Sequence, residues 1–466
     1  MAATITQERI TGRGWAVLFV LCGAIFLEGI DVSMMGVALP SIRAELGLAT
    51  GELQWIVSAY ALGYGGFVLL GGRAADLLGR RRMFVGWLAI FLMFSGLGGF
   101  ATEGWVLILA RFVTGIAAAF MTPAGLSIIT TTYTEGPQRD RALLVYAGTA
   151  AGGFSLGMVT GGLLSSIDWR WVFFAPVLVS AIVLAGALAL IPRDVRTPGP
   201  RHGFDIIGTL TLTGAMMLLI STVVRAPDVA RGQTVGTGIA GLAVLALFIL
   251  IERRAKSPLI RLGILRNAGL VRANLGAILL VGSFVGFQFV AVLYLQELRH
   301  WSELETGLAL MVIGIDSVLA PTLTPWLVKR FGNPRVVFGG FALATLAYAA
   351  FLPLKADWTY TAMLPAFILL GLAFALTYGP LTIAATDGVP ENEQGLASGV
   401  LTTSFQFGSA LGLAVVAAVL TATDVLTVDR FRAGLVVPLI AAVLGLLIAG
   451  RGLLVIARPR EVSRTS

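Results

Sequence analysis

The 466-residue sequence predicts an all-α integral membrane protein with two six-helix bundles and two extra spanning helices, fourteen spans in total. Hydrophobic residues make up 57% of the chain and charged residues 12%, and the mean hydropathy is +0.89, whereas soluble domains carry about 25% charged residues. Windows of about 20 apolar residues, the length that crosses a bilayer, recur along the whole chain. Basic, proline-containing breaks follow the sixth and eighth windows, so the spans divide as six, two and six.

The predicted spans follow one another with short connections. They cover residues 15–40, 52–72, 83–101, 104–127, 143–165, 171–191, 204–224, 235–251, 270–295, 304–328, 336–354, 360–383, 395–420 and 433–457. The first is too long for a signal peptide and ends without a small-x-small cleavage site, so we expect it to stay attached. We predict a first bundle over 1–192, linkers with the two extra spans over 193–269, and a second bundle with a tail over 270–466.

The basic residues predict the orientation. With the N-terminus inside, roughly three in four of the 33 Lys and Arg residues fall in inner segments, which is a strong positive-inside bias. Both termini are therefore expected on the cytoplasmic side of the membrane. The same residues are spread over seven inner segments rather than one patch, which argues against nucleic acid. One cysteine, Cys22, and two histidines leave no basis for a disulfide, a metal or another cofactor. We expect a monomer in the bilayer.

Two carboxylates in the first span predict proton coupling. A charge at bilayer depth costs roughly 2.5–3.5 kcal/mol and is kept mainly for function. Glu28 and Asp31 are spaced i, i+3 and share one helix face. Two close carboxylates do not easily both ionise, so the pair is expected to hold a proton. Arg111, roughly 10 Å deep in span 4, matches the depth of Asp31, roughly 14 Å. The alternative is a permanent structural ion pair.

The two groups of six spans look alike. The segment Gly72 to Arg82 follows the second span of the first group, and Pro325 to Arg335 follows the second span of the other. Thr122-Pro123 in span 4 corresponds to Gly379-Pro380 in span 12. Two parallel six-helix halves are typical of transporters that bind a substrate between the halves.

The motifs resemble those of the major facilitator superfamily, and within it the fourteen-span drug:proton antiporters. Ile30 to Pro40 is similar to the span 1 pattern L-D-x-T-I-V-N-V-A-L-P, with Gly36 in place of Asn. Gly72 to Arg82 is similar to the loop signature G-x-x-x-D-R-x-G-R-R, with Leu77 in place of the first Arg. Gly148 to Gly162 resembles the span 5 antiporter signature, with Met158 where a proline is usual. Further similar runs are Arg111-x3-Gly115, Trp169 to Phe173, and Gly395 to Gly399 followed by Gln406-Phe407-Gly408.

The resemblance implies roles for individual residues. The gating loop would contain Gly72, Asp76, Gly79, Arg80 and Arg81, with Asp76 latching the cytoplasmic side. Proton coupling falls to Asp31 with Arg111, and we add Glu28 from its spacing, since it lies outside the family pattern. The predicted substrate contacts are Asp316, Asp31, Glu28, Gln406 and Tyr60. Other aromatics considered for stacking on a drug are Trp55, Phe287, Tyr294 and Tyr378.

The small residues Gly153, Gly157 and Gly161 are predicted to pack span 5 closely against another helix. A sharper hypothesis places this stripe against the other half of the molecule.

Together these features predict proton-coupled export of lipophilic, often cationic drugs or antibiotics by alternating access. Transport of an endogenous metabolite is the alternative within the superfamily. From another class, the alternative is a membrane enzyme without recognisable motifs, but the sequence lacks clustered catalytic acids or histidines.

Overall fold

The computed structural model describes residues 11–133, 137–193, 205–226, 229–255, 258, 260, 262–389, 394–421 and 427–457. Every regular element in these ranges is helical. The α-helices are α1 (Gly12–Leu46), α2 (Thr50–Leu78), α3 (Arg80–Gly99), α4 (Gly104–Thr132), α5 (Pro137–Ser165), α6 (Trp171–Leu190), α7 (Ile206–Arg225), α8 (Arg231–Arg254), α9 (Ala268–Leu293), α10 (Glu303–Met311), α11 (Asp316–Phe331), α12 (Asn333–Phe351), α13 (Tyr360–Thr386), α14 (Gln394–Leu420) and α15 (Val428–Ala457).

The prediction of fourteen spans is confirmed, because the described helices form fourteen segments long and apolar enough to cross a membrane. The tenth span consists of α10 and α11, joined by a 3₁₀ turn at Val312–Ile315. A π-helical turn, Tyr294–Leu298, extends α9. Successive spans alternate in direction, so α1 begins and α15 ends at the same end of the molecule. We call this the terminal end and the other the opposite end.

The helices pack into two bundles and a bridging pair. In the first bundle α1 packs on α5 and α6, and α2 packs on α4. In the second, α9 packs on α14 and α15, and α12 packs on α13. The bundles meet where α2 contacts α14 and where α5 contacts α10. The extra helices α7 and α8 pack on each other, and α7 also lies against α2 and α14, so this pair flanks one seam between the halves.

Two single-residue connections are related by the internal repeat. Only Gly79 separates α2 from α3, with φ 104° and ψ 132°. Only Gly332 separates α11 from α12, with φ 84° and ψ 148°. Side chains rarely tolerate this backbone conformation, which is nearly restricted to glycine. The two sequence segments that look alike therefore make the same sharp turn at the terminal end.

The glycine stripe of α5 packs inside the first bundle. A Cβ atom at Gly153 would lie 2.7 Å from the carbonyl oxygen of Phe26, and one at Gly161 would lie 2.7 Å from Cα of Met34, both on α1. Gly157 likewise faces Ile30 on α1. The hypothesis that this stripe faces the other half is therefore wrong.

A different face of α5 meets the second bundle. There Ser155, Met158 and Gly162 lie against the tenth span. Positions 155, 158 and 162 are three or four residues apart, so they share one face of α5. Each lies one or two residues after a glycine of the stripe, and this face is therefore different from that of the stripe.

Candidate functional site

A buried ion pair joins α1 to α4 inside the first bundle. Asp31 Oδ2 accepts a hydrogen bond from Arg111 Nη1 at 2.5 Å. Asp31 is 1% exposed and Arg111 2% exposed, so both charges are removed from solvent and lipid. Arg111 Nε also donates to the carbonyl oxygen of Ile56 at 3.4 Å, and its guanidinium lies 4.5 Å from the ring centre of Tyr60. Arg111 therefore has a carboxylate, a carbonyl and an aromatic face as partners.

Glu28 lies one turn from Asp31 toward the terminal end and has its own partners. Thr122 Oγ1 on α4 donates to Glu28 Oε2 at 2.5 Å, and Tyr64 on α2 lies near Glu28. Tyr146 on α5 and Tyr378 on α13 lie close enough to interact with it electrostatically. The two acids thus occupy one helix face, as their spacing predicts, but each is bound by a separate set of groups.

Aromatic rings of the second bundle form a row that reaches Phe154 of the first bundle. Tyr378 stacks on Phe405 with centres 4.4 Å apart and on Phe374 at 5.3 Å. Phe284 continues the row at 4.8 Å from Phe374 and approaches Phe154 of α5 at 6.2 Å. Tyr378 is 43% exposed. We call Phe284, Phe374, Tyr378 and Phe405 the aromatic row.

Three aromatics singled out from the sequence lie elsewhere. Phe287 and Tyr294 are 1% and 0% exposed and pack with Phe351 in the core of the second bundle. Tyr60 is 3% exposed beneath Arg111. A substrate in solution cannot reach Tyr60 in this conformation, and its assignment as a substrate contact stays a prediction. Sequence spacing does not reveal which way a helix is rotated in its bundle.

The remaining predicted substrate residues lie at contacts between the halves. Gln406 is half-buried on α14, opposite Gly65 of α2, where an added Cβ atom would approach it to 2.8 Å. Asp316 is half-buried at the first residue of α11. It directly follows the 3₁₀ turn, where Ser155 Oγ of α5 donates to the carbonyl oxygen of Gly314 at 3.4 Å. Asp316 thus begins the second segment of a broken span beside the first bundle.

The predicted gating loop is a single-residue turn. Gly79 alone breaks the helix, and Arg80 begins α3. Arg81 Nη2 donates to the carbonyl oxygen of Leu188 at the end of α6, at 2.9 Å. Gly72 has room for a side-chain carbon, since its nearest neighbour would be Pro123 at 3.8 Å, whereas its neighbour Gly71 lies against the backbone of Ala119. The side chain of Asp76 is outside the described residues.

Polar contacts that the sequence did not reveal join the halves at the opposite end. Arg43 Nη1 pairs with Glu297 Oε1 at 3.3 Å. Ser41 Oγ donates to Glu303 Oε1 at 2.6 Å, and Gln296 Nε2 donates to the carbonyl oxygen of Val37 at 3.1 Å. The π turn supplies Gln296 and Glu297, and such turns often occur at functional sites. We call these three interactions the closing contacts.

Within the part of the chain that the structure describes, no group of three or more His, Cys, Asp or Glu side chains could hold a metal ion. The arrangement instead offers buried charges, hydroxyl groups and aromatic faces. Such groups can take up protons and bind organic molecules.

Comparisons with known proteins agree with this architecture. Residues 21–413 match the family model "Major Facilitator Superfamily". The chain is 34% identical over 420 residues to the puromycin resistance protein pur8 of Streptomyces alboniger, covering 88% of this chain and 82% of that protein. It is 34% identical over 417 residues to the cephamycin export protein CmcT of Amycolatopsis lactamdurans, covering 87% and 85%. It is 33% identical over 405 residues to a lincomycin resistance protein of Streptomyces lincolnensis, covering 86% and 83%.

Solved structures show the same fold at low sequence identity. A point mutant of the nucleoside transporter NupG superposes with a TM-score of 0.67 at 15% identity, covering 94% of this chain and 99% of that one. An auto-inhibited peptide transporter of the POT family also superposes with a TM-score of 0.67 at 15% identity, covering 97% and 98%.

Proposed function

The chain belongs to the major facilitator superfamily, and from that premise we propose that it exports drugs or antibiotics from a bacterial cell in exchange for protons. It is a multi-pass membrane transporter and not an enzyme. Its relatives are named for resistance to puromycin and lincomycin and for export of cephamycin, which supports antibiotics as the cargo. The basic residues favour the cytoplasmic membrane with both termini inside.

The observation that carries the proposal is the buried Asp31–Arg111 pair with Glu28 one turn away. The free energy needed to remove two charges from water offsets much of the attraction between them, so a buried ion pair adds little to the stability of a protein. Neutralising Asp31 with a proton would remove most of its attraction for Arg111 and loosen α1 from α4. Returning the charge would restore the contact. A proton can therefore switch the packing of the helix that lines the substrate path.

The substrate site is proposed between Glu28 and the aromatic row. An organic cation that leaves water needs a nearby counter-charge, and aromatic faces stabilise cations and bind flat rings. Glu28 belongs to the first bundle and the row to the second, so a molecule between them would touch both moving halves. Asp316, also of the second bundle, is a second candidate counter-charge, and Gln406 a candidate polar contact.

The contrast between the two ends of the molecule supports alternating access. The closing contacts hold them together at the opposite end, while Tyr378, nearer the terminal end, remains 43% exposed. We propose that this conformation is open toward the cytoplasm. In the outward-facing state the closing contacts would break, and the glycine turns at Gly79 and Gly332 would help the terminal ends meet, with Asp76 as a latch.

The proposal is tested in two steps. A growth-inhibition panel of puromycin, lincomycin, a cephamycin and ethidium, with and without the expressed gene, identifies an exported compound. That compound is then added to inverted membrane vesicles carrying a pH gradient reported by a fluorescent dye. Export coupled to protons predicts partial collapse of the gradient on addition, and none in vesicles without the protein. Resistance without any effect on the gradient would contradict proton coupling.

A further inference from the structure

The terminal end of the second bundle contains a cleft that lies outside the proposed substrate path. Four helices surround it, since α9 packs on α13 and α15 and α12 packs on the same two. The cleft has a volume of about 420 Å³, and sites that bind small molecules occupy about 300–1,000 Å³. Along α9 it extends from Gly269 to Gly276, which is roughly 10 Å at 1.5 Å per residue. The cleft is therefore large enough for a small organic molecule.

This cleft has a polar mouth and an apolar floor. Asn333 and Asp387 line the mouth, at the terminal end, and Asp387 is exposed. The floor is formed by Phe341, which is 1% exposed and packs against Gly445. Because the helices pack on one another around the cleft, it opens at the terminal end of the molecule and not sideways into the lipid.

The first bundle fills the corresponding space with larger side chains. Five residues after the glycine turn, the first bundle has Phe84, which is 1% exposed, and the second has the smaller Val337. The helix α4 ends at Tyr133, which is 2% exposed and donates to a backbone carbonyl of α1 at 2.7 Å. Its counterpart α13 ends at Asp387 and Gly388. The cleft thus results from smaller residues in one of two similar bundles.

Two polar groups that line the cleft lack partners. Arg272 of α9 is half-buried, and no hydrogen bond or ion pair joins it to any residue that the structure describes. Asn333 Nδ2 donates to the carbonyl oxygen of Pro380 at 2.9 Å, but its buried Oδ1 has no partner among the described residues. A guanidinium keeps its charge in proteins, and a buried acceptor without a donor is unfavourable. An anion at Arg272 and a donor at Asn333 would satisfy both groups.

We propose that this cleft binds a small organic acid that has an apolar body and a hydrogen-bond donor. The acid group pairs with Arg272, the donor bonds to Asn333 Oδ1, and the body lies against Phe341 and Leu381. The exposed carboxylate of Asp387 at the mouth repels a second negative charge, so a zwitterion of the amino-acid type fits better than a dianion. A phospholipid does not fit, because the packed helices leave no side opening for its acyl chains.

The test is binding of phenylalanine to the purified full-length protein in detergent, measured by isothermal titration calorimetry. Phenylalanine has a carboxylate, an ammonium donor and an apolar ring. The related compound 3-phenylpropionate lacks the donor, and phenethylamine lacks the acid. The proposal predicts that phenylalanine binds most tightly and phenethylamine most weakly. Absence of binding by phenylalanine, or equally tight binding by phenethylamine, overturns it.

A charge-removing variant locates the binding. Arg272→Gln should weaken phenylalanine binding at least about tenfold, because a hydrogen bond to a charged group is lost. The matched control is Arg451→Gln, since Arg451 is exposed near the same end and does not line the cleft; its Kd should stay within about twofold of the parent. Equal weakening by both substitutions would indicate a general attraction to the basic end of the molecule and would overturn the site.

A second variant fills the cleft without changing its charge. Gly452 lines the cleft, and a Cβ atom there would lie 3.7 Å from Nε of Arg272. Gly452→Leu should weaken phenylalanine binding at least about tenfold by occupying the space. Gly339→Leu, at a position with open space around it, should leave binding unchanged. Parental binding by the Gly452→Leu protein would place phenylalanine elsewhere and overturn the proposal.

A final arm separates a soluble ligand from a lipid headgroup. The titration is repeated with the protein in nanodiscs of phosphatidylglycerol. The proposal predicts the same Kd as in detergent, within about twofold. Loss of phenylalanine binding in these nanodiscs would assign the cleft to a lipid headgroup and overturn the proposal. These measurements follow binding alone, so their outcome does not depend on whether the protein exports drugs.

Discussion

Replacing Asp31 by Asn probes the buried ion pair most sharply. The substitution removes one charge but keeps the shape, so Arg111 stays 2% exposed without a counter-charge. Its partners are then all neutral: the amide oxygen of the introduced asparagine would replace the carboxylate, beside the 3.4 Å contact to the carbonyl oxygen of Ile56 and the ring of Tyr60. Breaking a buried pair by removing one member costs on the order of 3–5 kcal/mol. The Arg cannot escape this cost, because its guanidinium does not lose its proton in proteins.

The reverse substitution predicts a smaller loss. In Arg111→Met the carboxylate left behind can become neutral by binding a proton, which lowers the cost of its burial. The double variant Asp31→Asn with Arg111→Met buries no charge, and similar replacements elsewhere are often neutral or stabilising. The expected order of stability is therefore parent and double variant first, Arg111→Met next and Asp31→Asn last.

The assay is thermal unfolding of the purified proteins in one detergent, together with proton-driven export. All three variants should lose coupled export, although the double variant unfolds near the temperature of the parent. The reasoning is refuted if Asp31→Asn is as stable as the parent, or if the double variant is less stable than both single variants.

Three further predictions concern the surrounding residues. Glu28→Gln should weaken resistance to ethidium and other cations more than resistance to neutral compounds, and an equal loss across the growth panel would contradict its role as a counter-charge. Gly79→Ala should lower the free energy of unfolding by about 1–3 kcal/mol, because the φ of 104° at this position is unfavourable for alanine. Gly86→Ala on the open face of α3 should be tolerated. Equal unfolding temperatures of the two variants would contradict the requirement for glycine at the turn. Gly157→Ala should lower the free energy of unfolding by about 1–3 kcal/mol, because the added methyl group would push α5 away from α1. Gly148→Ala is the control, since Gly148 has open space around it. A Gly157→Ala protein as stable as this control would contradict close packing of α5 on α1.

The closing contacts can be tested by cross-linking. In a Cys22→Ser background, cysteines at positions 41 and 303 replace two side chains now 2.6 Å apart. A short thiol-reactive cross-linker should block export, and a reducible linker should restore it on reduction. A cross-linked protein that still exports would contradict opening at this end.

Several features could be predicted from the sequence because they depend on composition along the chain. The fourteen spans follow from apolar length, and the meeting of Asp31 with Arg111 follows from their similar depth in two spans. The single-glycine turns occur in the two segments, Gly72 to Arg82 and Pro325 to Arg335, whose likeness is visible in the sequence. In each case the prediction depends on which type of residue occurs at which position along a span.

Other features depend on how the helices are rotated and could not be predicted. Tyr60 and Tyr378 are both tyrosines within apolar spans, yet Tyr60 lies beneath Arg111 and Tyr378 belongs to the aromatic row. The glycine stripe of α5 predicted a close helix contact but not its partner, since small residues permit close approach to any neighbour. The π turn that supplies Glu297 and the 3₁₀ turn before Asp316 arise from tertiary packing and have no local sequence signature.

The most direct test of the account is proton movement by the purified protein. Parent and Asp31→Asn proteins are reconstituted into proteoliposomes with a pH-sensitive dye inside, and a compound from the growth panel is added under a proton gradient. The account predicts that the compound moves against its own gradient with proton flux in the other direction in the parent, and that Asp31→Asn binds the compound but moves no protons. Export by the parent without proton flux, or coupled export by Asp31→Asn, would contradict it.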